Sequence, residues 1–264
     1  MPYINLNKTD CYYEDSGGQG DVILFLHGLF LDGRMFASQV EALKDKYRCI
    51  CLDWRSQGRS EIAKFGHDAD GLVNDIKVLI EKLNIANCHI VGVSVGGVIA
   101  IRLAAQFPKI VKSIVGIGSA ANGENIETLN RYEQIMASFA QNGPVSVIDT
   151  LMPLIFGPDF NQNPARKADF DNWRNHILAN NGLGVGRAAA PILRRVDIFH
   201  MLSEVKCPSL FIVGEFDYVN NVEKCKKIVD GIKGAKMHIL QNSGHTPPIE
   251  NPTALNEVLQ GFYV

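Results

Sequence analysis

Gly92-Val93-Ser94-Val95-Gly96 stands where an apolar run, His89-Ile90-Val91-Gly92-Val93, gives way to a small-residue helical segment, Val98 to Ala105. A serine on so sharp a strand-to-helix turn is held in an unfavourable backbone conformation, with its hydroxyl lifted clear of the sheet. That position suits attack on a carbonyl carbon, but a serine hydroxyl is a poor nucleophile and needs a base. Asn242-Ser243-Gly244-His245-Thr246-Pro247-Pro248 offers one, on a loop just after the last predicted strand. An imidazole used this way needs an anion to fix its tautomer and stabilise its charged form. Asp217, in Gly214-Glu215-Phe216-Asp217, lies 28 positions before His245, with one helix and one strand between them, so both fall on loops at one sheet edge. Glu215 is the competing carboxylate, though it stands nearer the strand end. The fourth requirement is a pair of donors for an oxyanion. The backbone N–H of Leu29, in His27-Gly28-Leu29-Phe30 after another strand, and that of Val95 at the start of a helix meet it, with Phe30 as the alternative to Leu29.

The other histidines carry no such context. His27 is expected to brace its own loop, and His67, His89, His176, His200 and His238 show no metal-ligand spacing. Asp149 and Asp197 are expected at the surface. The six cysteines (Cys11, Cys49, Cys51, Cys88, Cys207 and Cys225) are scattered, with no Cys-x-x-Cys pair, and read as reduced, buried thiols. Neither a nucleotide-binding loop nor a metal cluster is apparent, so no cofactor and no metal is expected.

Several elements must position these groups. Tyr3 to Leu6 and Cys11 to Tyr13 read as short antiparallel strands. Val22 to Leu26 is a continuous apolar run, suited to a strand buried on both faces. Further strands are predicted at Tyr47 to Leu52, 89–93, 113–117, 209–213 and 236–240, with a polar loop from Asp53 to Ser60. Helices are predicted at Met35 to Leu43, around Leu72, Ile76, Leu79 and Leu83 at spacings of four, three and four, at Asn221 to Gly231, and from Pro252 onward. Strand and helix alternate, which predicts an α/β chain: a mostly parallel eight-stranded sheet with helices on both faces. Between 119 and 205 the alternation stops. Helices expected at Glu124 to Ala140, Val145 to Phe156, Arg166 to Ala179 and Gly186 to Val196 form a helical cap, leaving 1–118 and 206–264 as the core. Phe30, Phe139, Met152, Phe156 and Trp173 are the candidates for a substrate cleft under that cap, with packing of the cap itself as the alternative role for the last four.

Composition narrows the function. The chain has 264 residues, 46% of them hydrophobic and 20% charged, as in an ordinary globular domain. With 26 Lys+Arg against 28 Asp+Glu the net charge is −2, so no basic excess exists to neutralise a nucleic acid backbone. No apolar run approaches the roughly 18 residues of a spanning helix, and the first ten residues lack a signal-peptide pattern. A cytoplasmic protein without membrane association, monomeric or homodimeric, is expected.

The order Ser94, Asp217, His245, the His27-Gly28 strand end and Asp53-Trp54-Arg55-Ser56-Gln57-Gly58-Arg59-Ser60 together resemble the α/β-hydrolase fold superfamily, over nearly the whole chain. The nearest likeness is to the small serine esterase, lactonase and perhydrolase branch, with His27 to Phe36 as the oxyanion segment. Two departures stand out: Tyr218-Val219-Asn220-Asn221 where family members commonly place a proline after the acid, and Ser56 where glycine is usual. The resemblance implies a serine hydrolase that cleaves a small-molecule carboxylic ester or lactone through an acyl-enzyme. Relatives that open epoxides or displace halides carry Asp in place of Ser94. The implied substrates include enol-lactones and N-acyl-homoserine lactones, the latter a quorum-quenching activity. Carbon–carbon bond hydrolysis of β-diketone-type substrates is the alternative chemistry, and a hydrolase-fold receptor for small molecules is the alternative class. A histidine base predicts rate loss below about pH 6.5.

Overall fold

The computed structural model describes residues 2 to 263. Eight strands form one sheet in the order β1-β2-β4-β3-β5-β6-β7-β8: β1 Tyr3–Leu6, β2 Thr9–Asp15, β3 Val22–Leu26, β4 Arg48–Leu52, β5 Cys88–Val93, β6 Val111–Ile117, β7 Ser209–Gly214 and β8 Lys236–Leu240. β1 and β2 are antiparallel additions at one edge. From β4 to β8 every pairing is parallel.

Side chains alternate between the two faces, as the period of two requires. Leu24, Leu26, Ile50 and Leu52 join a buried cluster with Leu72, Ile76 and Leu79 of α2 (Ala69–Lys82) and with α3 (Val95–Gln106). Ile23, Phe25, Cys49 and Cys51 face the other way, against Leu43 of α1 (Ala37–Leu43) and Leu255 and Leu259 of α12 (Pro252–Phe262). All six cysteines are free thiols, Cys207 half-buried and the others buried.

β3 is followed in sequence by β4 on one side and later by β5 on the other. A crevice opens where the direction of winding reverses, at the C-terminal ends of the strands. The loops after β3, β5, β6, β7 and β8 all leave from that end, which is why residues 27–29, 94, 118, 217 and 245 come together.

Helices fill the chain between β6 and β7: α4 Ile126–Asn142, α5 Ile148–Ile155, α6 Pro158–Gln162, α7 Lys167–Leu178, α8 Gly182–Leu193 and α9 Phe199–Leu202, with short 3-10 turns at Pro144–Ser146 and Pro164–Arg166. The expected segment from Val145 to Phe156 is thus a 3-10 turn followed by α5. The helix expected from Gly186 starts at Gly182, because the Asn181 side chain accepts from Gly184 N at 2.9 Å and caps it there. α10 spans Val222–Gly231 and α11 spans Pro247–Glu250. No helix among the described residues is long and apolar enough to cross a membrane.

The loop 53–60 braces the strand ends. Arg55 and Asp75 of α2 form a buried ion pair, with Arg55 Nε 2.7 Å from Asp75 Oδ2. Ser56 adopts a φ of 66°, the left-handed region that explains a preference for glycine. Here serine is held by its own Oγ, which accepts from Ala63 N at 2.9 Å and lies 2.8 Å from His67 Nε2. The departure from the family pattern therefore has a local compensation.

Candidate active site

The turn after β5 is built by close approach. A Cβ on Gly96 would overlap the Leu26 carbonyl, and one on Gly92 would overlap the backbone of Gly96, so neither position accepts another residue without movement. Squeezed between strand and helix, Ser94 takes φ 55° and ψ −114°, a strained conformation for a residue with a side chain. Its N–H donates to Ile117 O at 2.8 Å, and its carbonyl accepts from Gly97 N and Val98 N as α3 begins. Gly28, at the end of β3, lies so near that a Cβ there would stand 3.4 Å from Ser94 Cβ.

His245 and Asp217 meet across the ends of β7 and β8. His245 Nδ1 lies 2.9 Å from Asp217 Oδ2, and both residues are buried. The other carboxylate oxygen, Asp217 Oδ1, accepts from the backbone N–H of Val219 at 3.0 Å and of Asn220 at 2.8 Å. The loop that lacks a proline after the acid is closed instead by these two bonds and by Asn220 Nδ2 donating to Gly118 O at 2.7 Å. Since the partners of Oδ1 are donors, the carboxylate acts as an acceptor and Nδ1 carries the proton. Burial works to lower the pKa of His245. The charge and hydrogen bond of Asp217, with the charge of Glu250, outweigh it and raise the imidazole above its ordinary value of 6.5. Glu215, the competing carboxylate, is exposed and accepts from Asn242 N at 3.2 Å, away from His245 Nδ1.

The strand end at 27–30 is fixed by the 53–60 loop. Trp54 N donates to His27 Nε2 at 2.9 Å, so the proton of that ring sits on Nδ1, which donates to Gly28 O at 2.7 Å. His27 is fully buried and braces its loop, with Trp54 Nε1 donating to His27 O at 2.8 Å. Phe30 N donates to Gln57 Oε1 at 3.1 Å. That bond occupies the alternative oxyanion donor and leaves the Leu29 N–H, for which no acceptor is found among the described residues.

Gly28, Leu29, Phe30, Ser94, Val95 and His245 all line one pocket enclosing about 920 Å³, part of it open to solvent. Its roof comes from the inserted helices: Ile135 and Met136 on α4, Leu151 and Leu154 on α5, and Ile192 on α8. Of the expected cleft residues only Phe30 lines it. Phe139, Met152 and Phe156 are buried in the apolar cluster behind that roof, and Trp173 packs against the same cluster. Phe139 rests 5.5 Å from the Phe30 ring, and Phe156 stacks on Phe160 at 4.5 Å. Phe139 and Phe156 fill the packing interface, where a large ring buries the most area, and Phe30, Tyr132 and mainly aliphatic side chains face the cavity. Ile135 and Met136 stand three and four residues after Tyr132 and share its helix face, a spacing readable beforehand but not distinguishable from ordinary core.

Glu250 was not anticipated. It is 3% exposed and accepts four hydrogen bonds: from Gly157 N at 2.7 Å and Gly244 N at 2.8 Å on Oε2, and from Thr246 N at 2.8 Å and Thr246 Oγ1 at 3.0 Å on Oε1. Burial outweighs the pull of the surrounding N–H and hydroxyl groups and holds its carboxyl above the ordinary value. One carboxylate thus ties the end of α5 to the loop bearing His245, beside His245 N donating to Ile155 O at 3.2 Å. Asn180 Nδ2, donating to Phe30 O at 2.8 Å, ties the same group of helices to the 27–30 loop. In Glu250→Gln one side-chain oxygen becomes an amide that faces donors, so at least one buried backbone N–H loses its acceptor, at a cost of about 1–3 kcal/mol. Urea unfolding should show the variant destabilised by about 1–3 kcal/mol, and a value under about 0.5 kcal/mol would refute the staple.

Among the described residues no group of three or more His, Cys, Asp or Glu could hold a metal ion. The family model for the alpha/beta hydrolase fold matches residues 21–252. Over 278 residues the chain is 25% identical to a 2-hydroxy-6-oxononadienedioate/2-hydroxy-6-oxononatrienedioate hydrolase of Escherichia coli O81 (strain ED1a), covering 98% of this chain and 91% of that protein. It is 24% identical to 3-oxoadipate enol-lactonase 2 of Acinetobacter baylyi, covering 92% and 89%. The crystal structure of the enol-lactonase from Burkholderia xenovorans LB400 superposes with a TM-score of 0.92 at 24% identity, covering 99% of each chain.

Proposed function

The chain belongs to the alpha/beta hydrolase fold family, and on that premise we propose that it is a serine hydrolase that cleaves a carboxylic ester or lactone through an acyl-enzyme. One observation carries this reading: a strained Ser94 and an Asp217-bonded His245 line the same mainly apolar pocket. In the proposed first step Ser94 Oγ attacks the carbonyl carbon while His245 Nε2 takes its proton. The N–H groups of Leu29 and Val95 receive the oxyanion. His245 then gives the proton to the leaving alkoxide, and the acyl-enzyme forms as the C–O bond breaks. Water, activated by the same nitrogen, attacks the acyl group and releases the acid and Ser94. Asp217 stays ionised throughout. A neutral lactone with an apolar tail, the chemistry of an acyl-homoserine lactone, matches the lining better than a highly charged substrate does.

The curated relative from Escherichia coli supports a second reading, carbon–carbon bond hydrolysis, and a receptor is the remaining class. A panel of short and long p-nitrophenyl esters, lactones and vinylogous diketones, with fluorophosphonate labelling read by mass spectrometry, separates the three. Esters and lactones should turn over many times, and the label should sit on Ser94. Turnover of diketones alone would favour the second reading, a single turnover with retained ligand would favour the receptor, and a label on another serine would overturn the assignment. The pH profile is part of the same test. Only neutral His245 accepts a proton, so kcat/KM falls as pH drops through the histidine pKa. Because Asp217 and Glu250 raise that pKa, the acid limb should have its midpoint above pH 6.5, not below it. A midpoint below 6.5 would contradict this coupling.

A further inference from the structure

Besides His245, the pocket is lined by one carboxylate side chain, Glu124, and one guanidinium, Arg195, the first just before α4 and the second just after α8. The side chain of Glu124 is only 7% exposed. Its Oε1 lies 3.5 Å from Arg195 Nη2, and its Oε2 lies 3.5 Å from Lys224 Nζ on α10. Both cations also donate to other acceptors. Arg195 Nη1 donates to Ile192 O at 3.1 Å and Nη2 to Asn122 O at 3.3 Å. Lys224 Nζ donates to Val219 O at 2.9 Å and lies 3.4 Å from Asn220 Oδ1.

A guanidinium beside an apolar cavity, if unpaired, is a ready receptor for a carboxylate, because its forked donors match the two oxygens and little water competes. In this pocket the protein supplies that carboxylate itself. A substrate carboxylate approaching Arg195 would meet Glu124 already in place, and two like charges in a poorly hydrated site repel strongly. We propose that Glu124 is a specificity-determining residue, an internal counter-ion for Arg195, the one cation that lines the pocket, and that it reserves the pocket for acyl groups without a carboxylate. This proposal rests on the ester or lactone hydrolase reading. It separates the chain from the curated relatives above, whose named substrates, an oxoadipate lactone and a nonadienedioate, are derived from dicarboxylic acids. Burial, and after it the charge of Glu124, pushes the phenol of nearby Tyr132 upward, which keeps that lining residue neutral.

The test compares two five-carbon acyl groups that differ at the far end: p-nitrophenyl pentanoate and the mono-p-nitrophenyl ester of glutarate. The wild-type protein should favour pentanoate by about 30-fold or more in kcat/KM, the order expected of an unpaired charge in a buried site. Glu124→Gln keeps the shape and frees Arg195, so it should cut that ratio by about tenfold or more, chiefly through a lower KM for the glutarate ester. Adding Arg195→Met to Glu124→Gln should abolish the gain. An unchanged ratio in Glu124→Gln, or a wild-type preference for the glutarate ester, overturns the proposal. Arg195→Met alone serves if Glu124→Gln does not fold: its ratio should move further toward pentanoate, and no movement or the reverse overturns the idea. Calorimetric titration of glutarate into the Ser94→Ala protein with and without Glu124→Gln reads the same effect without catalysis. If the wild type hydrolyses neither ester, the reaction class is wrong, yet the titration still decides on Glu124: tighter glutarate binding in the double variant supports its role, and no gain refutes it.

Discussion

Ser94→Ala should lower kcat for an ester substrate by about 10³-fold or more while KM and the unfolding midpoint hardly change. The size of the effect follows from the proposed division of labour. Without the Ser94 hydroxyl there is no covalent intermediate, and His245 can only activate a water that nothing holds in line. The residual rate comes from the oxyanion donors and from binding. Stability is expected to hold because the strain at φ 55° belongs to the backbone, where Gly92 and Gly96 bring strand and helix together, and alanine inherits it unchanged. Steady-state kinetics with p-nitrophenyl butyrate, alongside thermal unfolding, checks both halves. A variant that keeps a tenth of the wild-type kcat would mean the reaction runs through another group.

Asp217→Asn should cost about 10⁴-fold in kcat at neutral pH, with an intact fold. The hydrogen bonds around the carboxylate dictate this. Oδ1 accepts from two backbone N–H groups, of Val219 and Asn220. An asparagine must keep its oxygen there, because turning its amide toward two N–H donors would leave all of them without acceptors. The amide then takes the place of Oδ2 and points its hydrogens at His245 Nδ1. That nitrogen must become an acceptor, so the ring proton moves to Nε2, and Nε2 can no longer take a proton from Ser94. Loss of the negative charge also removes the main influence that raises the histidine pKa, so the acid limb should shift downward as well. NMR of the His245 ring nitrogens would show the exchanged tautomer. A variant with full activity, or with Nδ1 still protonated, would contradict the assignment of Asp217 as the orienting anion.

The central strands were readable because buried parallel strands are continuous apolar runs, and 22–26 coincides with β3 at both ends; 236–240 coincides with β8 although that edge strand carries Lys236 and His238 and is mostly exposed. That Ser94, Asp217 and His245 stand at one end of the sheet was readable for a related reason: each follows a predicted strand at a loop containing glycine, and such loops collect at one end of a parallel sheet. The segment between β6 and β7 was less legible. Its helices bury their faces partly against each other and partly against a cavity, so apolar spacing alone does not tell lining from packing. Phe139 and Phe156 illustrate this, since cleft and packing were both open to them and they lie in the buried cluster.

Residue types and their order along the chain were enough to specify the α/β alternation, the strained serine turn and the identity of the groups at its edge, since these depend on local periodicity and on glycines at fixed offsets. Folding added what no local pattern encodes. It brought Glu250 under the His245 loop and set Glu124 between Arg195 and Lys224, residues 71 and 100 positions away. Whether a buried charge is a free receptor or one already answered depends on which distant donors surround it, and that is a property of three-dimensional packing.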